Sequence, residues 1–138
     1  MATRLIVLVA LAVLAAAVAY LLQRRRPDPP SAPSYRAPAQ LDRNDFDHPD
    51  RRHLAVVFAS ATCNTCPEVW AMLQGLDAPF LAVQRIDVQE SAELHKRYRI
   101  DGVPTTIFAD AQGVVTKAFF GPIDADELRA VLTTIGPA

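Results

Sequence analysis

Cys63-Asn64-Thr65-Cys66 closely follows the apolar run Leu54-Ala55-Val56-Val57-Phe58, and Val103-Pro104-Thr105-Thr106 lies further down the chain. A strand that delivers two cysteines to the start of a helix is a recipe for a reactive dithiol. The first turn of a helix presents unpaired N–H groups and a partial positive charge, and both favour thiolate over thiol. These are the only two cysteines in the chain. A bridge between them closes too small a loop to stabilise much, so the pair points to chemistry rather than to a staple. A single Cys-x-x-Cys is also half of a zinc site. Zinc takes four ligands, however, and no second pair exists. His48, His53 and His95 match no finger spacing and are expected to be ordinary surface residues.

A chain of 138 residues has room for one ordinary domain at most. From Leu41 onward the pattern is globular. Leu41–Phe46 suits a helical turn, which the Asp47-His48-Pro49-Asp50 stretch breaks. Leu54–Ala59 reads as a fully buried strand. Cys66–Leu76 carries Val69, Trp70, Leu73 and Leu76 at helical spacing, ending at Gly75. Phe80–Val88 suits a second strand, and Ser91–Tyr98 a helix with Leu94 and Tyr98 turned inward. Thr105–Ala109 and Val114–Phe120 flank Ala111-Gln112-Gly113, a hairpin signature. Asp124–Ile135 closes the chain as a helix with an acidic first turn. The order β-α-β-α-β-β-α predicts an α/β sheet with helices on both faces. Trp70 and Phe119-Phe120 are expected to line the core. Asp42, Asp45, Asp47 and Asp50 lack the glycine and glutamate of a calcium loop and read as a solvated capping stretch.

The first forty residues differ in kind. Leu5–Leu22 is an uncharged stretch of Leu, Val and Ala, about 27 Å long as a helix. That is enough for a membrane anchor over residues 1–22. A cleaved signal peptide is the alternative, with Ala15-Ala16-Ala17 or Ala17-Val18-Ala19 as its cleavage site. Arg24-Arg25-Arg26 favours the retained anchor. The same arginines predict, by the positive-inside rule, a single-pass membrane protein with its domain on the cytoplasmic side, an extracytoplasmic domain being the alternative. Residues 23–40, with five prolines, read as a stiff linker reaching up to roughly 50 Å, leaving 41–138 as the domain. Residues 41–138 carry nine Lys/Arg against fourteen Asp/Glu, a net −5, which argues against nucleic-acid binding. There is no phosphate loop, nucleotide fingerprint or Ser/His/Asp constellation.

With that element order, the Cys-x-x-Cys at the first strand–helix junction and Gly102-Val103-Pro104-Thr105, the chain resembles the thioredoxin family over about residues 52–136. Phe120-Gly121 is similar to the glycine after that family's last strand. Membrane-tethered bacterial members share this layout. The resemblance implies a thioredoxin-like fold, a central mixed sheet flanked by helices, with the N-terminal strand–helix unit curtailed. It implies that Cys63 is the attacking thiolate and Cys66 the more buried resolving thiol. It also implies that Pro104 is cis, and that Thr62, Asn64, Thr65, Val103, Pro104 and Thr105 meet the substrate chain. The activity implied is thiol-disulfide exchange with protein thiols and disulfides. It needs no bound cofactor, since electrons enter from a dithiol donor.

The departures are specific. The family's tryptophan before the first cysteine is Thr62, and its Gly-Pro between the cysteines is Asn64-Thr65. Its buried acid is Val57, and the lysine that partners that acid is Val83. Losing both charges is coherent, because either alone would be buried unpaired. It also removes an internal proton acceptor for Cys66. Pro67 lacks the N–H that would bond back toward Cys63. These departures support the alternative of a redox-inactive scaffold that binds a membrane partner.

Overall fold

His53–Ala59 forms strand β1, and six of its seven side chains are buried. A strand buried on both faces reads as a continuous apolar run rather than an alternation, and β1 occupies the middle of the sheet for that reason. Leu81–Asp87 (β2) pairs with it in parallel, and Thr105–Ala109 (β3) pairs antiparallel on its other side. Val115–Phe120 (β4) completes the hairpin with β3 and the order β2-β1-β3-β4. A computed structural model of the chain describes Arg4, residues 11–18, Tyr20 and residues 35–136. Its two units are Met1–Ser34 and Tyr35–Ala138.

Helix α1 (Cys66–Gln74) links β1 to β2, α2 (Ala92–Arg97) follows β2, and α3 (Ala125–Ile135) follows β4. The alternation of β1 sends Ala55, Val57 and Ala59 to one face, where they pack with Val69 and Leu73 of α1 and Leu128 and Ile135 of α3. Leu54, Val56 and Phe58 point to the other, against Leu41, Phe46 and Tyr98, with Leu94 half-buried beside them. Helices thus cover both faces of a mixed thioredoxin-like sheet. Only a 3-10 turn, Arg43–Asp45, precedes β1 in this unit. The Asp124 carboxylate caps α3, accepting from the Asp126 and Glu127 N–H groups at 2.8 and 3.4 Å.

Two expectations for side chains change. His95 is buried, its ring edge-on to Phe58 with centroids 5.1 Å apart. The imidazole joins the Phe46 and Tyr98 rings, whose centroids lie 6.5 and 6.1 Å from that of Phe58, in covering it. Phe120 turns outward beside a buried Phe119, as strand alternation requires.

The expected single-pass membrane location is overturned. Among the described residues, no helix is long and apolar enough to cross a membrane. Leu5–Leu22 apart from residues 11–18 and Tyr20, together with residues 23–34 of the expected linker, lies outside the described residues. Residues 35–40, also placed in that linker, run alongside β4. Val115 donates its N–H to the Ala39 carbonyl at 3.0 Å, and Gln40 bridges to Val114.

Candidate active site

Beyond Ala59 the chain leaves the sheet through a knot of polar side chains. Ser60 is buried, and its Oγ accepts from Gln89 Nε2 at 2.8 Å and from the Thr62 N–H at 3.3 Å. The two hydroxyls of Ser60 and Thr62 lie 3.0 Å apart. Gln89 Oε1 accepts in turn from the Ala61 N–H at 3.0 Å. The Cys63 N–H donates to the Ser60 carbonyl at 3.1 Å, which seats the first cysteine. Sequence reasoning missed Ser60 and Gln89. The parallel pairing of Ala59 with Asp87 is the signal that places position 89 beside the loop leaving β1.

Cys63 and Cys66 are joined as a disulfide. Cys66 is completely buried in the α1 face of the core, and Cys63 is half-buried above it. The Cys66 N–H donates to Cys63 Sγ at 3.2 Å. Pro67 therefore leaves that contact intact, because the donor belongs to residue 66. Thr65 sits at the helix N-cap without capping it; its hydroxyl lies 3.7 Å from Cys63 Sγ instead. A backbone donor, a hydroxyl and the positive end of a nine-residue helix all converge on the half-buried Cys63 sulfur. Thr62, Asn64 and Thr65 are exposed around it.

The surroundings of the inner sulfur are apolar. Val57 and Val69 share its cluster, with Trp70, Val83 and Val103 packed against it. Trp70 is thus part of the core. Thr106, paired across β3 from Val57, buries its hydroxyl without a partner.

The Val103–Pro104 peptide is cis. Phe58 pairs with Thr105 across the antiparallel β1–β3 ladder, so the loop that enters β3 lies at the same end of the sheet as the cysteine-bearing loop that leaves β1. Pro104 and Thr105 are buried. The Thr105 hydroxyl donates to the Gly102 carbonyl at 2.7 Å, and the Gly121 N–H donates to the Pro104 carbonyl at 2.8 Å. Gly121 sits at φ +87°, a left-handed conformation in which a side chain would be strained.

Residues 43–136, well over half of the chain, match the profile of the thioredoxin-like domain. The chain belongs to the thioredoxin-like domain family. No curated protein sequence matches it. Among solved structures it is similar to a mutant thioredoxin of Halobacterium salinarum, at 25% identity and TM-score 0.55, over 64% of this chain and 79% of the other. The germline-specific thioredoxin Deadhead of Drosophila melanogaster superposes at TM-score 0.56 with 23% identity, over 66% and 88%. The thioredoxin of Fasciola hepatica does so at 0.53 with 23% identity, over 62% and 82%. These likenesses carry the fold. The bonded cysteine pair adds the chemistry, and together they are consistent with a thiol-disulfide oxidoreductase at the general level.

Proposed function

We propose that this thioredoxin-like domain exchanges dithiol and disulfide with protein partners through Cys63 and Cys66. One observation carries the reading: an accessible sulfur, faced by the Cys66 N–H at 3.2 Å, is bonded to a buried one at a helix start. In the reduced domain, Cys63 thiolate attacks one sulfur of a substrate disulfide. A mixed disulfide forms and the other substrate sulfur leaves as thiolate. Cys66, losing its proton, then attacks Cys63 Sγ. That restores the bond seen here and releases the second substrate thiol. Two electrons pass from the domain to the substrate, and a dithiol donor returns them; no bound cofactor takes part. Thr62, Asn64 and Thr65 shape the rim of the attacking sulfur, and Val103, Pro104 and Thr105 form the opposite wall for an extended substrate segment.

Cys63→Ala abolishes turnover of a protein disulfide, while Cys66→Ala halts the cycle after the first attack and accumulates mixed disulfides. Non-reducing electrophoresis of Cys66→Ala, mixed with a disulfide-bonded protein such as insulin, reads the trapped adduct directly. Absence of any adduct, with Cys63 confirmed reduced and accessible to an alkylating reagent, sinks the exchange reading and leaves a redox-inactive scaffold.

A further inference from the structure

The two edges of the sheet differ in how they end. Along β4, Val115 donates to the Ala39 carbonyl at 3.0 Å and Leu41 donates to Gly113 at 2.8 Å, so residues 39–41 cover that edge. The β3–β4 register also shifts between Phe108 and Ala109. At the opposite edge β2 pairs with β1 along its whole length without a shift. Among the described residues, no further strand lies beyond it.

The phase of the β1–β2 ladder decides which groups of β2 are left over. His53 donates to the Phe80 carbonyl and Val88 to the Ala59 carbonyl, both at 2.9 Å. In a parallel pair this turns the backbone N–H and C=O of Ala82, Gln84 and Ile86 toward β1. Those of Leu81, Val83, Arg85 and Asp87 therefore point outward. Leu81 is closed off, because its N–H donates to Ala78 at 3.0 Å and its carbonyl accepts from Arg51 Nη1 at 3.1 Å. The Asp87 carbonyl accepts from the Ser91 N–H at 2.9 Å. The outward N–H and C=O of Val83 and Arg85 have no partner among the described residues, and both residues are only half-buried. Such edges are usually blunted by a bulge, a proline or an unpaired charge. Strand β2 has no proline, and Arg85, its one cation, is neutralised by the Asp87 carboxylate at 2.8 and 3.0 Å.

We propose that β2 pairs antiparallel with β2 of a second copy of this chain, about a two-fold axis at Gln84. In that register Val83 of each copy lies opposite Arg85 of the other, and the two exchange both N–H···O bonds. Every open group of those two residues is then used. Sliding the copies by a residue pair either way sets an open residue against Leu81 or Asp87, whose carbonyls are engaged. The charges match as well. Asp87 falls opposite Leu81 of the other copy, whose carbonyl holds the Arg51 guanidinium, so a carboxylate faces a cation at each end. The two Gln84 side chains meet at the axis. Each Oε1 accepts from its own Asp47 N–H at 2.8 Å, which leaves Nε2 to donate across. An unrelated extended chain would meet the same backbone groups without these side-chain matches. The two-fold contact uses the same edge on both copies, so assembly closes at the dimer.

The test follows the full chain and its Gln84→Glu variant by sedimentation over a dilution series, with amide hydrogen exchange read by NMR at the same concentrations. In the variant the carboxylate still accepts from the Asp47 N–H, but like charges then oppose each other across the axis. The parent passes from monomer to dimer as concentration rises, and exchange at the Val83 and Arg85 amides slows in step. The Gln84 amide, bonded to β1, is protected throughout and reports that the fold is intact. Gln84→Glu weakens the dimer by roughly tenfold or more. Arg85→Pro, which deletes an outward N–H and leaves the β1 ladder whole, abolishes it. A chain that stays monomeric at every concentration overturns the pairing. So does a dimer whose Val83 and Arg85 amides exchange freely, or one that Gln84→Glu leaves as tight as before, because its contact lies elsewhere. Protection of both amides that ignores concentration also overturns it, since another segment of the same chain would then occupy the edge. None of these readouts involves disulfide turnover, so the exchange reading is tested separately.

Discussion

Val57 is the side chain whose chemistry most distinguishes the space under the dithiol. It is completely buried, shares a cluster with Cys66, and pairs with Thr106 on one side and Arg85 on the other. Val83 lies two residues before Arg85, hence on the same face and diagonal to Val57, and packs against the same cluster. The cation beside it in register, Arg85, is already bound to the Asp87 carboxylate at 2.8 and 3.0 Å, so a carboxylate at 57 would gain no free partner from it. Val57→Asp therefore lowers stability by about 3 kcal/mol or more, the cost of an uncompensated buried charge. The same change with Val83→Lys recovers part of the loss, because the diagonal neighbour then supplies the partner. Urea denaturation of the two variants measures both effects through the midpoint at constant slope. A Val57→Asp protein as stable as the parent would mean that the space below Cys66 is wet, against the packing described here.

The strands and long helices were legible because each announces itself by period. Leu54–Ala59 is continuous and apolar because β1 is central. Helix α1 repeats its apolar residues at helical spacing because only one face meets the sheet. The hairpin was equally legible, and Gly113 shows why. It sits at φ +83°, where a side chain's Cβ would collide with the Leu41 carbonyl, and its own carbonyl accepts the Leu41 N–H. Gly113→Ala combines left-handed strain with that collision and destabilises the domain by about 1–3 kcal/mol, read as a fall in Tm. A loss under about 0.5 kcal/mol would show that the segment along β4 contributes little. What stayed hidden depends on contacts between residues far apart in sequence. Nothing local in Tyr35, within a proline-rich stretch, reveals a ring stacked on Phe120. The clamp of Gln89 on Ser60 follows only from the β1–β2 register, and the burial of His95 from its packing on Phe58, 37 residues earlier in the chain. The cysteine pair was readable from its spacing, and the cis bond at Pro104 from the resemblance that Gly102-Val103-Pro104-Thr105 carries.

The sheet gives the molecule two chemically different ends. The dithiol lies beyond the C-terminal end of β1, whereas His53 opens the same strand at the opposite end. His53 lines a cleft between β4 and α3 together with Lys117 and Glu127, and its Nδ1 is buried without a partner. Burial pushes its pKa below the ordinary value, Arg52 and Arg43 add to that, and Asp110 opposes it. The unfolded chain takes up this proton near pH 6.5, while the folded chain resists it until lower pH. Across that interval the unfolded state binds more protons, so stability rises with pH there. The contribution is complete above about pH 6.5 and is lost as pH falls from there through the lower folded value. Asp42 acts in a separate, more acidic window. The Asn44 N–H holds its carboxyl below the usual range, and the resulting stability is lost only as pH drops under about 4. Urea midpoints between pH 7 and pH 5 therefore decline in the parent protein and flatten in His53→Gln. Because His53 lies at the far end of β1 from the sulfurs, the same substitution leaves the pH profile of Cys63 alkylation unchanged. A His53→Gln protein that keeps the full decline in urea midpoint would place the responsible proton elsewhere. An altered alkylation profile would show that the two ends of the sheet are coupled.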